Sequence, residues 1–469
     1  MHEGLDTDKT TRTDSAPFEA SRYRALNASH LDRIPQLSCF DAERRFAMRV
    51  VASVLPFRTN AYVVEQLIDW TKVPDDPLFQ LTFPQPDMLS NEQFDHVAAL
   101  LRRDADKAEV QEAVDSIRAQ LNPHPGGQMT MNVPSLDGRP LSGLQHKYRE
   151  TVLFFPSQGQ TCHAYCSFCF RWAQFIGDKE IKFASNETRD LHEYLTRHHE
   201  VTDLLITGGD PMVMRASNLA DILEPLLERE FQHVRTLRIG TKSLSFWPYR
   251  YLDTEDAQDT LALFERVVAA GKQLAFMAHV NHARELETPA VREAIRRIRA
   301  TGAVLRSQAP LLRHINDTPD VWARMWRMQV QLGMQPYYMF VERDTGARRY
   351  FEVPLTRAMD IYRRAVRKVS GLARTARGPV MSAAPGKVEV QGQAEIHGER
   401  VFVLRFLQAR NPAWVQRPFF ARFDPEATWF DQLRPAFGEE RFFFEEEFDA
   451  MRADHADASR RTPPAPSAN

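Results

Sequence analysis

Residues 203–228, DLLITGGDPMVMRASNLADILEPLLE, decide the fold. A short apolar run enters a Gly-Gly-Asp-Pro turn, and an amphipathic helical period follows, which is one strand–loop–helix unit. The same order recurs on either side. VLFFP (152–156) leads into a cysteine-bearing loop, TLRIG (236–240) precedes LALFERVVAAG, and LAFMAH (274–279) precedes AVREAIRRIRATG. AVLRSQ (303–308) then precedes VWARMWRMQVQLG, and YYMFV (337–341) precedes RAMDIYRRAVRKV. Six βα units predict an α/β fold with a parallel sheet, in which the loops after the strands carry function. Those loops hold Cys162, Cys166, Cys169, Gly208, Gly209, Asp210, Pro211, Thr241, Lys242, His279, Asn281, His282, Gln308, Glu342, Arg343 and Asp344. The unusual polar residues are therefore expected on one face.

Outward from this region, 1–35 reads as a polar flexible arm and 36–140 as a helical domain, with FAMRVVASVL and EQFDHVAALLRRDADKAEVQEAVDSIRAQL as helical periods. The barrel-forming units occupy 141–380. In 381–451 the alternation VEVQGQAEIHGERVFVLRF predicts a β-hairpin or meander. Eleven of the 30 phenylalanines lie between 402 and 448, so this extension is expected to bury itself against the main domain or another subunit. Residues 452–469 read as a disordered tail rich in Pro, Ala and Ser.

Composition narrows the class. Hydrophobic residues make up 43% and charged residues 26% of 469, which excludes fibrous and disordered chains. A formal net charge of −2 gives no basic footprint for nucleic acid or an anionic membrane. The sequence holds no apolar run long enough for a transmembrane helix or a signal peptide, so a cytoplasmic protein is expected.

Of four cysteines, three sit as Cys162-x3-Cys166-x2-Cys169. Thiolates so spaced can hold three corners of an iron–sulfur cluster and leave one iron open. A Cys3His zinc site using His163 is the alternative, and Cys39 reads as a buried small hydrophobe. The stretch CHAYCSFC (162–169) resembles the signature of the radical S-adenosylmethionine superfamily, and GGDP (208–211) resembles its methionine-binding loop. With HVRTLRIGTK, MAHVNHARELETP, RSQAPLLRHINDTP and QPYYMF in that order, residues 55–410 resemble the lysine 2,3-aminomutase family.

The resemblance implies a partial (β/α)6 barrel with a helical N-terminal domain and a small β-containing extension. It implies a [4Fe-4S] cluster on the three cysteines, and S-adenosylmethionine held by Gly208, Gly209, Asp210 and Pro211, with His279 and Gln308 either touching the cofactor or bracing loops. Reductive cleavage would yield a 5′-deoxyadenosyl radical, with electrons from a flavodoxin or ferredoxin. Family aminomutases also carry pyridoxal phosphate on a lysine after a glycine-rich turn. Here Ala384-Pro385-Gly386-Lys387 shortens that turn, so Lys387 is either the Schiff-base lysine or an exposed turn residue. Lys147, beside Tyr148, stands where the family has a phosphate-binding arginine, and Thr151 where it has the second. Arg171 matches the arginine for the substrate carboxylate. The two aspartates that receive a lysine side chain are replaced by Arg343 and Ala383. A cation in that place favours an acidic or neutral side chain, unless Arg343 turns outward to Asp344 or Glu342. Three functions stay open at this level: an aminomutase for an amino acid other than lysine, a pyridoxal-independent radical enzyme acting on a carboxylate or peptide, and a non-catalytic Fe–S or zinc protein. Association into a homo-oligomer also stays open.

Overall fold

A computed structural model describes residues 22–127, 130–176, 188–252 and 255–461. The expected arm is ordered from residue 22 onward. Strand β1 (Ala25–Asn27) pairs antiparallel with β2 (Arg58–Asn60), and Leu26, Leu31 and Ile34 are buried. These three apolar residues find a partner surface on the helical domain, which the polar composition of the segment conceals. Residues 1–21 of the arm lie outside the described residues. Cys39 is also unlike the expectation: it ends a surface turn and is exposed.

Helices Ala42–Val54, Pro77–Thr82, Asn91–Arg102 and Lys107–Gln120 follow. Each starts at a side-chain cap: Asp41, Asp76, Ser90 and Asp106 accept backbone N–H bonds, so local chemistry sets where they begin. A two-residue hairpin, β3 (Ser135–Leu136) with β4 (Arg139–Pro140), leads to the main sheet.

That sheet has eleven strands in chain order: β5 (Leu144–Tyr148), β6 (Thr151–Phe154), β7 (Asp203–Ile206), β8 (Thr236–Thr241), β9 (Gln273–His279), β10 (Val304–Leu311), β11 (Met334–Val341), β12 (Arg377–Ser382), β13 (Gly386–Ile396), β14 (Glu399–Ala409) and β15 (Pro418–Arg422). From β6 to β12 the neighbours are parallel, joined by six helical crossovers. At both ends pairing turns antiparallel, β5 with β6 and then β12 through β15. The six predicted units are thus followed by a seventh parallel strand, and the extension continues the same sheet.

The two faces of the sheet differ. Ser307 is bonded by Gln329 of the helix Pro319–Gln331 at 2.8 Å, so it faces the helices. Its neighbours Arg306 and Gln308 therefore face the opposite side. Alternate positions in β7 and β8 follow the same rule, with Leu204, Ile206, Leu237 and Ile239 buried and Asp203 and Arg238 turned inward. The sheet curls until Lys387 of β13 lies 5.4 Å from the ring centre of Tyr148 on β5. The phenylalanine-rich extension makes its own core, Phe402, Phe406, Phe419, Phe442 and Phe444 packing together with Trp414. Its last helix, Glu445–Arg461, enters the expected tail, since RADHADASRR is rich in helix formers. Residues 462–469 of the tail lie outside the described residues. Among the described residues no helix is long and apolar enough to cross a membrane.

Asp76 joins the helical domain to the sheet. Fully buried, it caps Leu78 N (3.0 Å) and Phe79 N (2.9 Å) and pairs with Arg284 after β9. Asp76→Ala removes a cap and one half of an ion pair, and should lower stability by about 3 kcal/mol in urea unfolding.

Candidate functional site

The cysteine loop between β6 and the helix Thr188–Arg197 is pinned from the helical domain. Tyr165 N–H donates to Arg58 O (2.8 Å), and Ser167 N–H to Leu81 O (2.9 Å). The carbonyl of His163 accepts from the Tyr23 hydroxyl (2.8 Å) and from Asn60 Nδ2 (3.1 Å). Tyr23 belongs to the stretch that read as a free arm. Burial raises the pKa of all three thiols, that of Cys169 to about 11.

Spacing separates the two metal readings. Four ligands around one zinc, with Zn–S near 2.3 Å, stand about 3.8 Å from one another. Among the described residues the one trio of His, Cys, Asp or Glu ligand atoms within 4.8 Å is His146, His198 and Glu200, elsewhere in the molecule. Cys162, Cys166 and Cys169, with or without His163, do not form such a trio among the described residues. The buried His163 ring is packed edge-on against Tyr23 at 5.5 Å and held neutral by burial, with a pKa of about 3. Three cysteine thiols on one loop suit iron–sulfur ligation, while the His163 ring is packed against Tyr23.

The turn after β7 serves this loop directly. A Cβ on Gly209 would stand 2.5 Å from Thr161 O and 2.6 Å from Thr161 N. Gly209 is therefore glycine because the backbone leading into Cys162 crosses it. Asp210 N–H donates to Thr161 O at 2.7 Å. The Asp210 carboxylate, 2% exposed, accepts from Met212 N (3.0 Å), Thr241 Oγ1 (2.6 Å) and Lys242 N (2.9 Å). It is thus occupied in bracing loops. Pro211 is buried and starts a short turn. Next, Lys242 Nζ reaches Glu285 Oε2 (2.6 Å), Asn281 Oδ1 (2.9 Å) and His279 O (3.2 Å). Oε1 of the fully buried Glu285 accepts from Asn281 N and His282 N. This buried ion pair was missed in sequence, although Lys242 stood among the loop residues.

His279 and Gln308 are direct neighbours across β9 and β10, both half-buried. The His279 ring meets Phe168 edge-on at 5.6 Å, and burial, then Lys242, keeps it neutral. Among the described residues its ring makes no hydrogen bond.

The remaining candidates form a cationic interior. Arg171 and Arg343 lie over one ring, Phe170, at 5.7 and 5.3 Å from its centre. Arg171 also stacks on Phe155 at 3.9 Å, and Arg343 on Trp429 of the extension at 5.8 Å. Arg343 forms a loose ion pair with Asp344, its Nε 3.7 Å from Asp344 Oδ1, without a hydrogen bond between the two atoms. Burial lowers the pKa of both guanidinium groups. Lys147 and Lys387 lie at equal distances, 5.4 Å, from the ring centre of Tyr148, whose buried hydroxyl has no partner. Lys387 is no free turn residue. It sits 4.9 Å from the ring of Tyr338 and donates to Gln408 Oε1 (2.7 Å), and burial, then Arg238, then Arg377, lowers its pKa to about 7. Lys147 donates to Ala383 O (2.6 Å), its charge opposed by burial and by Arg410, Arg343 and Lys387. Thr151 Oγ1 is spent on Asp203 (2.9 Å), which pairs with Arg238. Arg410 and Trp429, both from the extension, gave no sequence signal.

No family model matches the chain. It is 30% identical over 406 residues, 87% of this chain and 93% of the other, to a protein of Aquifex aeolicus (strain VF5) named "Putative L-lysine 2,3-aminomutase". To the L-lysine 2,3-aminomutase of Escherichia coli (strain K12) it is 28% identical over 234 residues, 49% of this chain and 63% of that one. That match and others like it thus span about half to three-fifths of the relatives' length. A solved structure, Streptococcus suis SuiB bound to S-adenosylmethionine, aligns over 59% of this chain and 57% of that one at 12% identity and a TM-score of 0.34.

Gly209→Ala should displace the backbone before Cys162. The expected outcome is loss of most of the brown absorbance and bound iron after anaerobic reconstitution, with little change in the far-ultraviolet dichroism.

Proposed function

We propose that this chain, which belongs to the lysine 2,3-aminomutase family of radical S-adenosylmethionine enzymes, moves an amino group between neighbouring carbons of an amino acid with an acidic or neutral side chain. Its curled sheet is read as the partial (β/α)6 barrel of that family. The observation that carries the reading is Lys387, set between two tyrosine rings inside a cationic pocket with its ammonium form disfavoured. A neutral amine near neutral pH is what covalent attachment to an aldehyde needs, and the unpartnered Tyr148 hydroxyl is free to donate to a bound anion. The donors thus fit pyridoxal phosphate as well as the cluster.

When bound, the cluster and S-adenosylmethionine supply a hydrogen-abstracting 5′-deoxyadenosyl radical, and pyridoxal phosphate carries the migrating nitrogen. The protein's part is to position and to exclude water. Cys162, Cys166 and Cys169 hold the cluster, with Gly208–Pro211 setting the loop against it. His279 and Gln308 line the inner face beside it as neutral groups. Arg171 receives the substrate's α-carboxylate, and Arg343 meets the side chain. Arg343 is fixed in place: Gly346 N–H donates to Leu121 O (2.9 Å), and Thr345 Oγ1 accepts from Trp172 Nε1 (2.9 Å) and donates to Asn122 O (2.6 Å). An ammonium in place of a carboxylate at this guanidinium meets repulsion worth several kcal/mol at an effective dielectric near 20. Glutamate and its neutral analogues are the substrates this pocket favours. A reducing partner such as a flavodoxin or ferredoxin, and a cytoplasmic setting, belong to the same reading.

The occupied Thr151 and Lys147 favour a second reading, a radical enzyme without pyridoxal phosphate. Borohydride separates the two: a pyridoxyl adduct on Lys387 supports the first, and its absence, with 5′-deoxyadenosine still formed, supports the second. Arg343→Asp should reverse the preference between glutamate and lysine by about a hundredfold in kcat/KM. The rate of adduct formation should rise with pH as Lys387 loses its proton and level off above about 7, the neutral amine being the nucleophile. A profile still climbing at pH 9 would contradict the placement of Lys387.

A further inference from the structure

We infer that the phosphate of pyridoxal phosphate is gripped by Arg306 of β10 and Arg377 of β12, on the far side of Lys387 from the β5–β6 hairpin. This rests on the reading above, in which Lys387 carries the cofactor.

Three observations meet here. Arg306 projects from the inner face, as the bond from Ser307 to the helix layer requires. Its Cζ lies 5.5 Å from the ring centre of Tyr337, and Arg377 lies 4.9 Å from the same ring. The Tyr338 ring is shared by Arg377, at 4.7 Å, and Lys387 Nζ, at 4.9 Å. Two guanidinium groups and the reactive amine are thus strung along two adjacent tyrosines. Among the described residues neither the Arg306 nor the Arg377 guanidinium makes a hydrogen bond or ion pair. The acids on nearby strands are taken, Asp203 by Arg238 (2.7 Å) and Glu389 by Arg405 (2.7 Å). Half-buried guanidinium groups with free donors, and no acid to answer them, make a site for a dianion. Their planar forks suit two phosphate oxygens each.

The hairpin side offers less. Lys147 is committed to Ala383 O and Thr151 to Asp203. Arg410 is spent on Ala384 O, Met131 O and Asn132 Oδ1. The donors left there are the Tyr148 hydroxyl and the N–H groups that Lys147 does not spend on Ala383 O.

The test compares pyridoxal phosphate with pyridoxal, which has the same aldehyde and no phosphate, on the full chain. Dissociation constants come from the absorbance change, and adduct position from mass measurement after borohydride. Wild type should favour the phosphorylated form by about a hundredfold, two charge-assisted contacts at about tenfold each. Arg377→Gln and Arg306→Gln should each narrow that ratio about tenfold and leave pyridoxal affinity unchanged, while Lys147→Met leaves the ratio intact. Inorganic phosphate should compete in wild type and not in Arg377→Gln. An unchanged ratio in both arginine variants, with Lys147→Met collapsing it, overturns the assignment and returns the phosphate to the hairpin. Wild type without any lysine adduct overturns the cofactor reading itself, and the assignment with it. Matched melting temperatures tell lost binding from lost folding. Should Arg377→Gln melt early, Arg377→Lys, which keeps the charge but not the fork, takes its place and should still weaken the ratio.

Discussion

A buried carboxylate, Asp210, holds the site together. Asp210 receives three hydrogen bonds from two successive loops while its own N–H closes on the carbonyl before Cys162. Desolvation raises its pKa, and full hydrogen bonding offsets that cost. Through Lys242 the chain of contacts passes to Glu285 and the loop after β9. The cysteine loop, the glycine turn and the histidine loop therefore form one unit, preorganised before any ligand arrives. The constraint is steric as well as polar, because Gly209 leaves no room for a side chain where the Thr161 backbone passes.

Against that rigid frame the interior is unbalanced in charge. Lys147, Arg171, Arg306, Arg343, Arg377 and Lys387 come from six elements, while Asp203 is already paired with Arg238, Asp344 lies in a loose ion pair with Arg343, and burial pushes Glu342 toward its neutral form. Like charges gathered in a low dielectric repel, and this imbalance is what the proposed carboxylate substrate and phosphate-bearing cofactor would offset. Aromatic rings keep the cations apart. Phe170 separates Arg171 from Arg343, and Tyr148 separates Lys147 from Lys387.

Much of this was legible in the sequence, for physical reasons. Parallel strands buried on both faces read as apolar runs, and the residues ending them necessarily share one edge of the sheet, so the loop residues could be named together. The cysteine spacing stood in plain view. Other features required the fold. Arg306 and Arg377 become neighbours only when β10, β11 and β12 align in register, and Tyr337 comes between them through an irregular step after Ser307. Arg410 and Trp429 come from an extension whose composition spoke only of packing. At Gly209 the sequence showed the glycine but not the Thr161 backbone that crosses it. The ordered stretch from residue 22 escaped notice because three buried apolar residues suffice to dock it.

The account stands or falls on an iron–sulfur cluster with one iron left without a cysteine. The most direct measurement is the electron paramagnetic resonance spectrum of the anaerobically reconstituted, reduced protein, recorded with and without S-adenosylmethionine. The account predicts a four-iron cluster signal that changes shape when S-adenosylmethionine binds the open iron. A cluster signal indifferent to S-adenosylmethionine, or zinc in place of iron, would contradict it.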